Sequence, residues 1–168
     1  QITPVAEDAG VRIGIHPDDP PVYALGGIPR CMFGNFAGYK RAMEIADSPN
    51  IGVCLCVGCW LEGGEIGMGN SVVDAIKYFA GQGKLFKVHF RNVTNPMPEP
   101  WVETLIDEGY QDMHAVMKAL RDVKFDGCII PDHIPAMLGG HRVGMAYSIA
   151  YMRALVQAVN AEAGGAGA

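Results

Sequence analysis

The sequence predicts an α/β fold: a (β/α)8 TIM barrel, of which this chain supplies about four consecutive βα units. Three observations lead to this prediction. Four apolar runs rich in β-branched residues are typical of buried parallel strands, at 11–16, 51–58, 85–93 and 127–133. Helical patterns alternate with these runs. A polar residue suited to metal binding stands near the end of each run, which favours half a barrel over an open four-stranded sheet.

Helical periodicity predicts the segments that separate and follow the strands, at 36–47, 70–83, 110–125 and 144–162. Asn70 is the expected N-cap of the second. No glycine-rich GxGxxG loop follows a strand, which weakens a nucleotide-binding interpretation. We expect one α/β domain at 1–162 and a flexible Gly/Ala tail at 163–168. The chain opens like the last turns of a helix, so we also expect a missing N-terminal half.

Composition excludes several classes of protein. Hydrophobic residues make up 49% and charged residues 18%, as in globular domains, and the net charge is −5 without a Lys/Arg cluster. We therefore expect no nucleic-acid partner and no anionic membrane partner. No apolar run approaches the roughly 18 residues of a membrane span, and no signal peptide is recognisable. Five cysteines, an odd number, favour reduced thiols and a cytoplasmic location.

The strand-end residues are the strongest functional signal. The first strand ends on His16, the second carries Cys56, the third carries His89, and the fourth ends on Asp132 followed by His133. The carboxyl ends of parallel strands meet at one face of the fold, where active sites form. Two imidazoles, a thiolate and a carboxylate together form a plausible set of ligands for a divalent metal, and zinc or iron suits these donors.

Three cysteines lie close together in the segment GVCLCVGCW, residues 52–60. Cys54 and Cys56 share a strand face, so Cys56 reaches the mouth and Cys54 lies one layer deeper as a small apolar residue. Cys59 is expected in the loop beyond the strand. A redox pair of Cys56 and Cys59 is disfavoured, because its first cysteine should begin a helix. A zinc knuckle lacks its second pair of ligands.

Several motifs resemble a known family. These are GIHPDDPP (14–21), GIPR (27–30), LCVG (55–58), HFRNV (89–93), DMHAVMKALRDVKFDG (112–127) and IPDH (130–133). From about residue 4 to 157 the sequence is similar to the C-terminal half of the D-mannonate dehydratase family, metal-dependent barrels of the xylose-isomerase-like group. The HPDDPP, HxRN and PDH motifs at this spacing are the most specific.

The resemblance implies a lyase that converts D-mannonate to 2-keto-3-deoxy-D-gluconate, working as a homo-oligomer. It places the metal ligands on His16, Cys56, His89 and Asp132, and it implies manganese, with iron or zinc as alternatives. His133 matches an acid/base residue, and Arg91, Asn92 and Arg30 match positions near the substrate. Tyr147 stands at a suggestive distance for a family tyrosine. For Arg91, a rim ion pair with Asp18 or Asp19 is the alternative.

The sequence departs from the family after Cys56, where Val57-Gly58-Cys59 replaces a common Thr-Gly-Ser, and in the loop after Asp132. Two other functions stay open. A metal-dependent sugar isomerase or epimerase would use the same barrel, and it would conserve the mass of its substrate where a dehydratase loses water. A non-catalytic metal-binding half-barrel that pairs with another chain would bind metal without turnover.

Overall fold

The computed structural model describes residues 2–22, 24–30 and 33–165. Its centre is a parallel four-stranded sheet in the order β1-β4-β5-β8, the order of these strands along the chain. The strands are β1 (Ile13–Ile15), β4 (Ile51–Cys56), β5 (Leu85–His89) and β8 (Cys128–Ile130). They lie within the four predicted runs. Two antiparallel hairpins flank the sheet, β2 (Ala24–Leu25) with β3 (Ile28–Pro29) and β6 (Asn92–Val93) with β7 (Glu103–Thr104).

The helices of the described residues are α1 (Ile2–Asp8), α2 (Phe36–Ala46), α3 (Val57–Met68), α4 (Val72–Gly81), α5 (Met113–Asp122) and α6 (His141–Gly165). Helix α1 precedes β1, and the other helices come after strands of the central sheet. Helix α6 continues three residues into the segment 163–168, where a flexible tail was predicted, and residues 166–168 lie outside the described part. No helix of the described residues is both long enough and apolar enough to cross a membrane.

The core lies between the sheet and these helices. Val53 and Leu55 of β4 and Val88 of β5 are fully buried and belong to one apolar cluster with Phe79 of α4 and Leu120 of α5. Neighbouring side chains of a strand point to opposite faces. Cys54, Cys56 and His89 therefore belong to the other face of the sheet, the face that would line the inside of a barrel.

Parallel pairing decides which functional side chains lie at the same level along the strands. Cys56 pairs with His89, and Cys54 pairs with Lys87, so the two cysteines occupy successive levels of the sheet. A register shift lies between Val53 and Cys54. Cys54 is buried one level below Cys56, as predicted from their spacing.

Helix α3 was not predicted: the sequence analysis included Val57 and Gly58 in the strand run 51–58 and expected Cys59 in the loop beyond it. Glycines at 58, 63, 64 and 67 lower its helical propensity. Gly64 has a φ of 62° and interrupts the helical backbone, and Gly69 ends it with a left-handed C-cap. Burial decides the conformation, because residues from Val57 to Gly63 are all buried against the rest of the domain. Tertiary packing therefore overrides weak local preference.

The N-cap of α4 also differs from the prediction. Ser71, not Asn70, caps the helix, and its hydroxyl accepts a hydrogen bond from the backbone N–H of Asp74 at 3.1 Å. Asn70 instead accepts a hydrogen bond from the Trp60 indole at 3.1 Å. The sequence offered two adjacent capping residues, and the buried indole determines which of them is available.

Replacing Ser71 by Ala should lower the free energy of unfolding by about 1 kcal/mol, because the Asp74 N–H loses its acceptor. Ser71→Thr keeps an acceptor at this position and serves as the control, with a change well under that of Ala. Urea unfolding followed by circular dichroism measures both. Equal stability of the wild type and Ser71→Ala would contradict the assignment of the cap.

Candidate metal centre

Four side chains from four strand ends converge on one point. His16 follows β1, Cys56 ends β4, His89 ends β5 and Asp132 follows β8, and one donor atom from each lies within 4.8 Å of all the others. The rings of His16 and His89 are tilted against each other with centroids 4.8 Å apart. The structure thus brings together the four residues that were predicted to bind a metal.

The imidazoles of this group fit a metal ion. His16 Nδ1 contacts the Pro17 carbonyl at 2.8 Å, which leaves Nε2 buried without a hydrogen-bond partner in the described residues. Both ring nitrogens of His89 are buried and likewise make no hydrogen bond of good geometry there, although Nδ1 is 3.3 Å from Asp132 Oδ2. Buried nitrogens without partners are costly, and coordination of a cation would satisfy them.

Cys56 is prepared as a thiolate by its place at a helix start. It is both the last residue of β4 and the N-cap of α3, and its sulfur accepts a hydrogen bond from the Cys59 N–H at 3.4 Å. Burial alone would raise the pKa of Cys56. The contacts with Cys59, His16 and His89 outweigh burial and place this pKa well below its ordinary value. A thiolate is the form that binds a metal.

The prediction that Cys59 lies in a loop is wrong, because this residue stands in the first turn of α3. Its sulfur is 3.4 Å from Arg91 Nη2, and the contact with Cys56, together with burial, raises the pKa of the Cys59 thiol. The Cys56-x-x-Cys59 segment therefore does begin a helix, contrary to the argument that weakened a redox role. Cys54, Cys56, Cys59 and the exposed Cys128 are all free thiols.

Asp132 connects the four predicted metal ligands, called here the metal group (His16, Cys56, His89 and Asp132), to the charged side chains around them. Its Oδ2 lies 3.1 Å from Arg91 Nε and 3.8 Å from Cys56 Sγ. Burial would raise the pKa of Asp132, but His89, His133 and Arg91 keep it well below the usual range. In return the Asp132 carboxylate, followed by Cys54 and Cys56, raises the pKa of His89 to about 11.

Arg91 is not placed as a substrate-binding residue. Its side chain is 1% exposed, and all three guanidinium nitrogens contact carboxylates of the protein. The alternative from the sequence, an ion pair with Asp19, is observed at 2.9 Å. Four hydrogen bonds, to Asp132, Glu62, Asp19 and Cys59, engage the guanidinium within the protein, and the structure does not support the predicted contact with a substrate carboxylate.

Asn92 is also engaged within the protein. It is buried, its amide donates to the Ile106 carbonyl at 3.2 Å and to the Gln111 carbonyl at 3.0 Å, and its carbonyl oxygen accepts the Val93 N–H. A side chain on Gly109 would collide with it. Asn92 therefore holds the loop that precedes α5, and the structure does not support the predicted contact with substrate.

The remaining predicted residues differ in position. His133 is 46% exposed at the edge of the metal group, with Nδ1 paired to Glu103 and Nε2 3.8 Å from Asp132 Oδ2. Arg30 donates to the Asp19 carbonyl and pairs with Asp18 at 3.5 Å. The hydroxyl of Tyr147, on α6, donates to Asp107 at 2.6 Å, and Asp107 is not one of the strand-end residues.

Two acidic residues near the centre were missed. Glu62, in α3, is fully buried and lies 2.5 Å from Arg91 Nη1. Burial raises the pKa of Glu62 to about 7, and the Arg91 guanidinium opposes that rise. Glu103, in β7, contacts both His133 and Arg91. The only signal for Glu62 in the sequence was a charged residue between apolar and glycine positions, which by itself indicates no partner.

The chain was compared with known proteins. A sequence model of the D-mannonate dehydratase (UxuA) family matches residues 1–164. The chain belongs to this family. Mannonate dehydratase 2 of Halalkalibacterium halodurans is 36% identical over 156 residues, which are 92% of this chain and 43% of that protein. The crystal structure of mannonate dehydratase from Streptococcus suis serotype 2 has a TM-score of 0.84 at 31% identity and is matched over 96% of this chain and 47% of that one.

The predicted fold class is confirmed by these similarities. An L-ribulose 3-epimerase structure shares the fold with a TM-score of 0.67 at 17% identity, over 99% of this chain and 54% of the epimerase. The chain has the fold of about half of a TIM barrel. It spans about half the length of the curated relatives that it matches.

Replacing His89 or Asp132 by Ala should abolish stoichiometric metal binding, because each change removes a donor from a four-membered set. Cys54→Ala, one level deeper, is the matched control and should leave the metal content unchanged. Elemental analysis of protein loaded with Mn²⁺ and then desalted measures this. A full complement of metal in Asp132→Ala would refute the assignment of the ligands.

Binding of Mn²⁺ should release about one proton near pH 7, because His89 holds a proton in the metal-free protein and a ligand nitrogen cannot. The raised pKa of His89, about 11, sets the sign: apparent affinity increases with pH through the neutral range. Titration calorimetry in two buffers with different ionisation enthalpies measures the proton release. A binding enthalpy independent of the buffer would contradict this prediction.

Proposed function

We propose that the protein is a metal-dependent hydro-lyase that dehydrates D-mannonate to 2-keto-3-deoxy-D-gluconate. The observation that carries the proposal is the convergence of His16, Cys56, His89 and Asp132 at the strand ends, in a chain that belongs to the D-mannonate dehydratase family. The relatives named above are mannonate dehydratases about twice as long as this chain. The complete active site on this proposal includes residues from a further half-barrel.

The proposed cofactor is one divalent ion, with manganese preferred by the resemblance to the family and iron or zinc favoured by the sulfur and nitrogen donors. Bound at these four residues, a divalent ion would act as a Lewis acid toward the carboxylate and a neighbouring hydroxyl of the sugar acid. The donor set suits it electrostatically, because the Cys56 thiolate and the Asp132 carboxylate together offset two positive charges.

His133 is the proposed acid/base residue. Dehydration removes the C2 proton and the C3 hydroxyl, so one group must accept a proton and another must donate one. His133 is exposed at the edge of the metal group, and the pairing of Nδ1 with Glu103 leaves Nε2 on the side of Asp132 and Asp19. Burial opposes the shift, but Glu103 and Asp132 raise the pKa of His133 and favour its protonated form. It is therefore suited to donate a proton to the leaving hydroxyl.

The substrate carboxylate needs a cationic or hydrogen-bonding group that is still free to bind it. Arg91 is occupied, so we propose that residues of the other half-barrel, together with Arg30 at the rim, hold this end of the sugar acid. Arg30 is partly exposed and its contacts are with the Asp19 carbonyl at 3.3 Å and with Asp18. A homo-oligomeric state and a cytoplasmic location remain predictions, and the free thiols of the described residues are compatible with a reducing compartment.

Metal-stripped protein that includes the further half-barrel should form the 2-keto-3-deoxy acid from D-mannonate only after Mn²⁺ is added. Mass spectrometry of the product separates the candidate reactions, since dehydration loses water and isomerisation or epimerisation conserves mass. A product of unchanged mass would replace the lyase by an isomerase. Bound metal in this complete barrel without any turnover of D-mannonate would refute the proposed substrate.

His133→Asn should lower kcat by about 10²–10⁴-fold, because the asparagine amide cannot donate the proton, although it can still form hydrogen bonds in place of the imidazole. Affinity for Mn²⁺ should stay at the wild-type value, because His133 is outside the ligand group. His114→Asn, on α5, is the matched control, because that histidine pairs with Glu162 away from the centre. Unchanged kcat in His133→Asn would remove this residue from the mechanism.

A further inference from the structure

The Arg91 guanidinium joins the loops and helices that follow all four strands of the sheet. Arg91 follows β5. Its Nε contacts Asp132 after β8 at 3.1 Å, and its Nη2 contacts Asp19 after β1 at 2.9 Å. Its Nη1 contacts Glu62 in α3, after β4, at 2.5 Å. A planar guanidinium with five donors is the side chain that can bridge three carboxylates at fixed angles.

The backbone of α3 leaves space for this guanidinium at one position. A Cβ atom on Gly58 would lie 2.4 Å from Arg91 Cζ and 2.5 Å from Arg91 Cγ, far inside van der Waals contact. Arg91 cannot yield easily, because its side chain is buried and held by carboxylates on several sides. Gly58 is therefore required by the approach of Arg91 and not by its own backbone angles.

Glu62 is the buried end of this arrangement. Its side chain is fully buried, Oε1 contacts Arg91, and Oε2 has no hydrogen-bond partner among the described residues. A buried ion pair costs desolvation free energy and is a poor source of stability compared with apolar packing. Its presence beside a metal group therefore points to a role in geometry.

We propose that Glu62 and Arg91 are positioning residues of the metal centre: Glu62 fixes the guanidinium, and the guanidinium fixes the Asp132 carboxylate as a ligand. Asp132 needs such a support because it follows the short strand β8 and lies near a like charge, Asp19. Arg91 stands between these two carboxylates and binds both. The proposal rests on the metal site of the proposed function and not on the identity of the substrate.

The cluster of Asp19, Cys59 and Glu62 offers an alternative interpretation, namely a second cation site in place of a support for Asp132. One donor atom from each of these residues lies within 4.8 Å of the others, a spacing that would suit a second cation. Arg91 already contacts all three members, with Nη1 on Glu62 and Nη2 on Asp19 and Cys59. A guanidinium therefore supplies the positive charge there, and the cluster belongs to the support of Asp132.

The test is the affinity of metal-stripped protein for Mn²⁺, measured by titration calorimetry without any substrate. Arg91→Met and Glu62→Gln should each weaken binding, by about 10–100-fold for Arg91→Met, the range typical of residues that orient metal ligands. Arg91→Lys should recover part of the lost affinity, because it keeps the positive charge. The recovery should be incomplete, because an ammonium reaches fewer of the three carboxylates. Arg41→Met is the matched control, because Arg41 is an exposed arginine that pairs with Glu44. Unchanged or tighter binding in Arg91→Met would overturn the proposal.

A double variant separates positioning from folding. Arg91→Met alone leaves the Glu62 carboxylate buried without its ion-pair partner, and adding Glu62→Leu removes that charge, so the double variant should recover thermal stability relative to Arg91→Met. Affinity for Mn²⁺ should stay weak, and the absorption spectrum of the Co²⁺-loaded protein should stay altered. If affinity recovers together with stability, the pair acts only on folding and the proposal is wrong.

Kinetics distinguish this proposal from the role in substrate binding that the sequence suggested. With saturating Mn²⁺, a positioning role predicts a lower kcat for Arg91→Lys with little change in KM. A raised KM with wild-type affinity for Mn²⁺ would make Arg91 a substrate-binding residue and overturn the proposal. If D-mannonate is not the substrate, the Mn²⁺ and Co²⁺ measurements still decide between the outcomes, so the two proposals can fail separately.

Discussion

The contacts of one buried guanidinium hold the functional face of this domain together. Asp19, Glu62, Glu103 and Asp132 all approach Arg91, and without a cation among them their mutual repulsion in a poorly solvated site would be large. Gly58 permits the approach by lacking a side chain. The same side chain consequently links three features of the site. These are the orientation of Asp132, the loop after β1 that carries Asp19, and the packing of the first turns of α3.

The metal group is completed by local backbone structure. Because β4 runs directly into α3, Cys56 stands at a helix N-terminus, where the Cys59 N–H stabilises its thiolate. The two imidazoles present buried nitrogens without partners on the same side. Each donor is thus supplied by a different strand end. The lowered pKa values of Cys56 and Asp132 favour the charged forms that a divalent ion requires, whereas the raised pKa of His89 means that its imidazole must release a proton on binding. This arrangement follows the general rule that sites of parallel α/β folds lie at the carboxyl ends of the strands.

The proposed acid/base residue and the buried support of the site are different residues. His133 and its partner Glu103 lie at the accessible edge, whereas Glu62 and Asn92 are buried and hold the loops behind it. The chain belongs to the D-mannonate dehydratase family and has the fold of about half of its barrel. Burying an ion pair at Arg91 costs desolvation free energy, and the proposed positioning of the Asp132 carboxylate gives a reason for that cost.

Sequence patterns were enough to predict the four parallel strands, every helix of the described residues except α3, and the convergence of His16, Cys56, His89 and Asp132. The contacts of Arg91 and Asn92 could not be predicted, since a motif does not show which protein groups a side chain will bond once the chain is folded. The same is true of α3, whose glycines disfavour a helix locally while its burial against the rest of the domain favours one. The role of Glu62 could not be predicted for the same reason. It depends on a contact with a distant part of the chain, here Arg91 directly after β5.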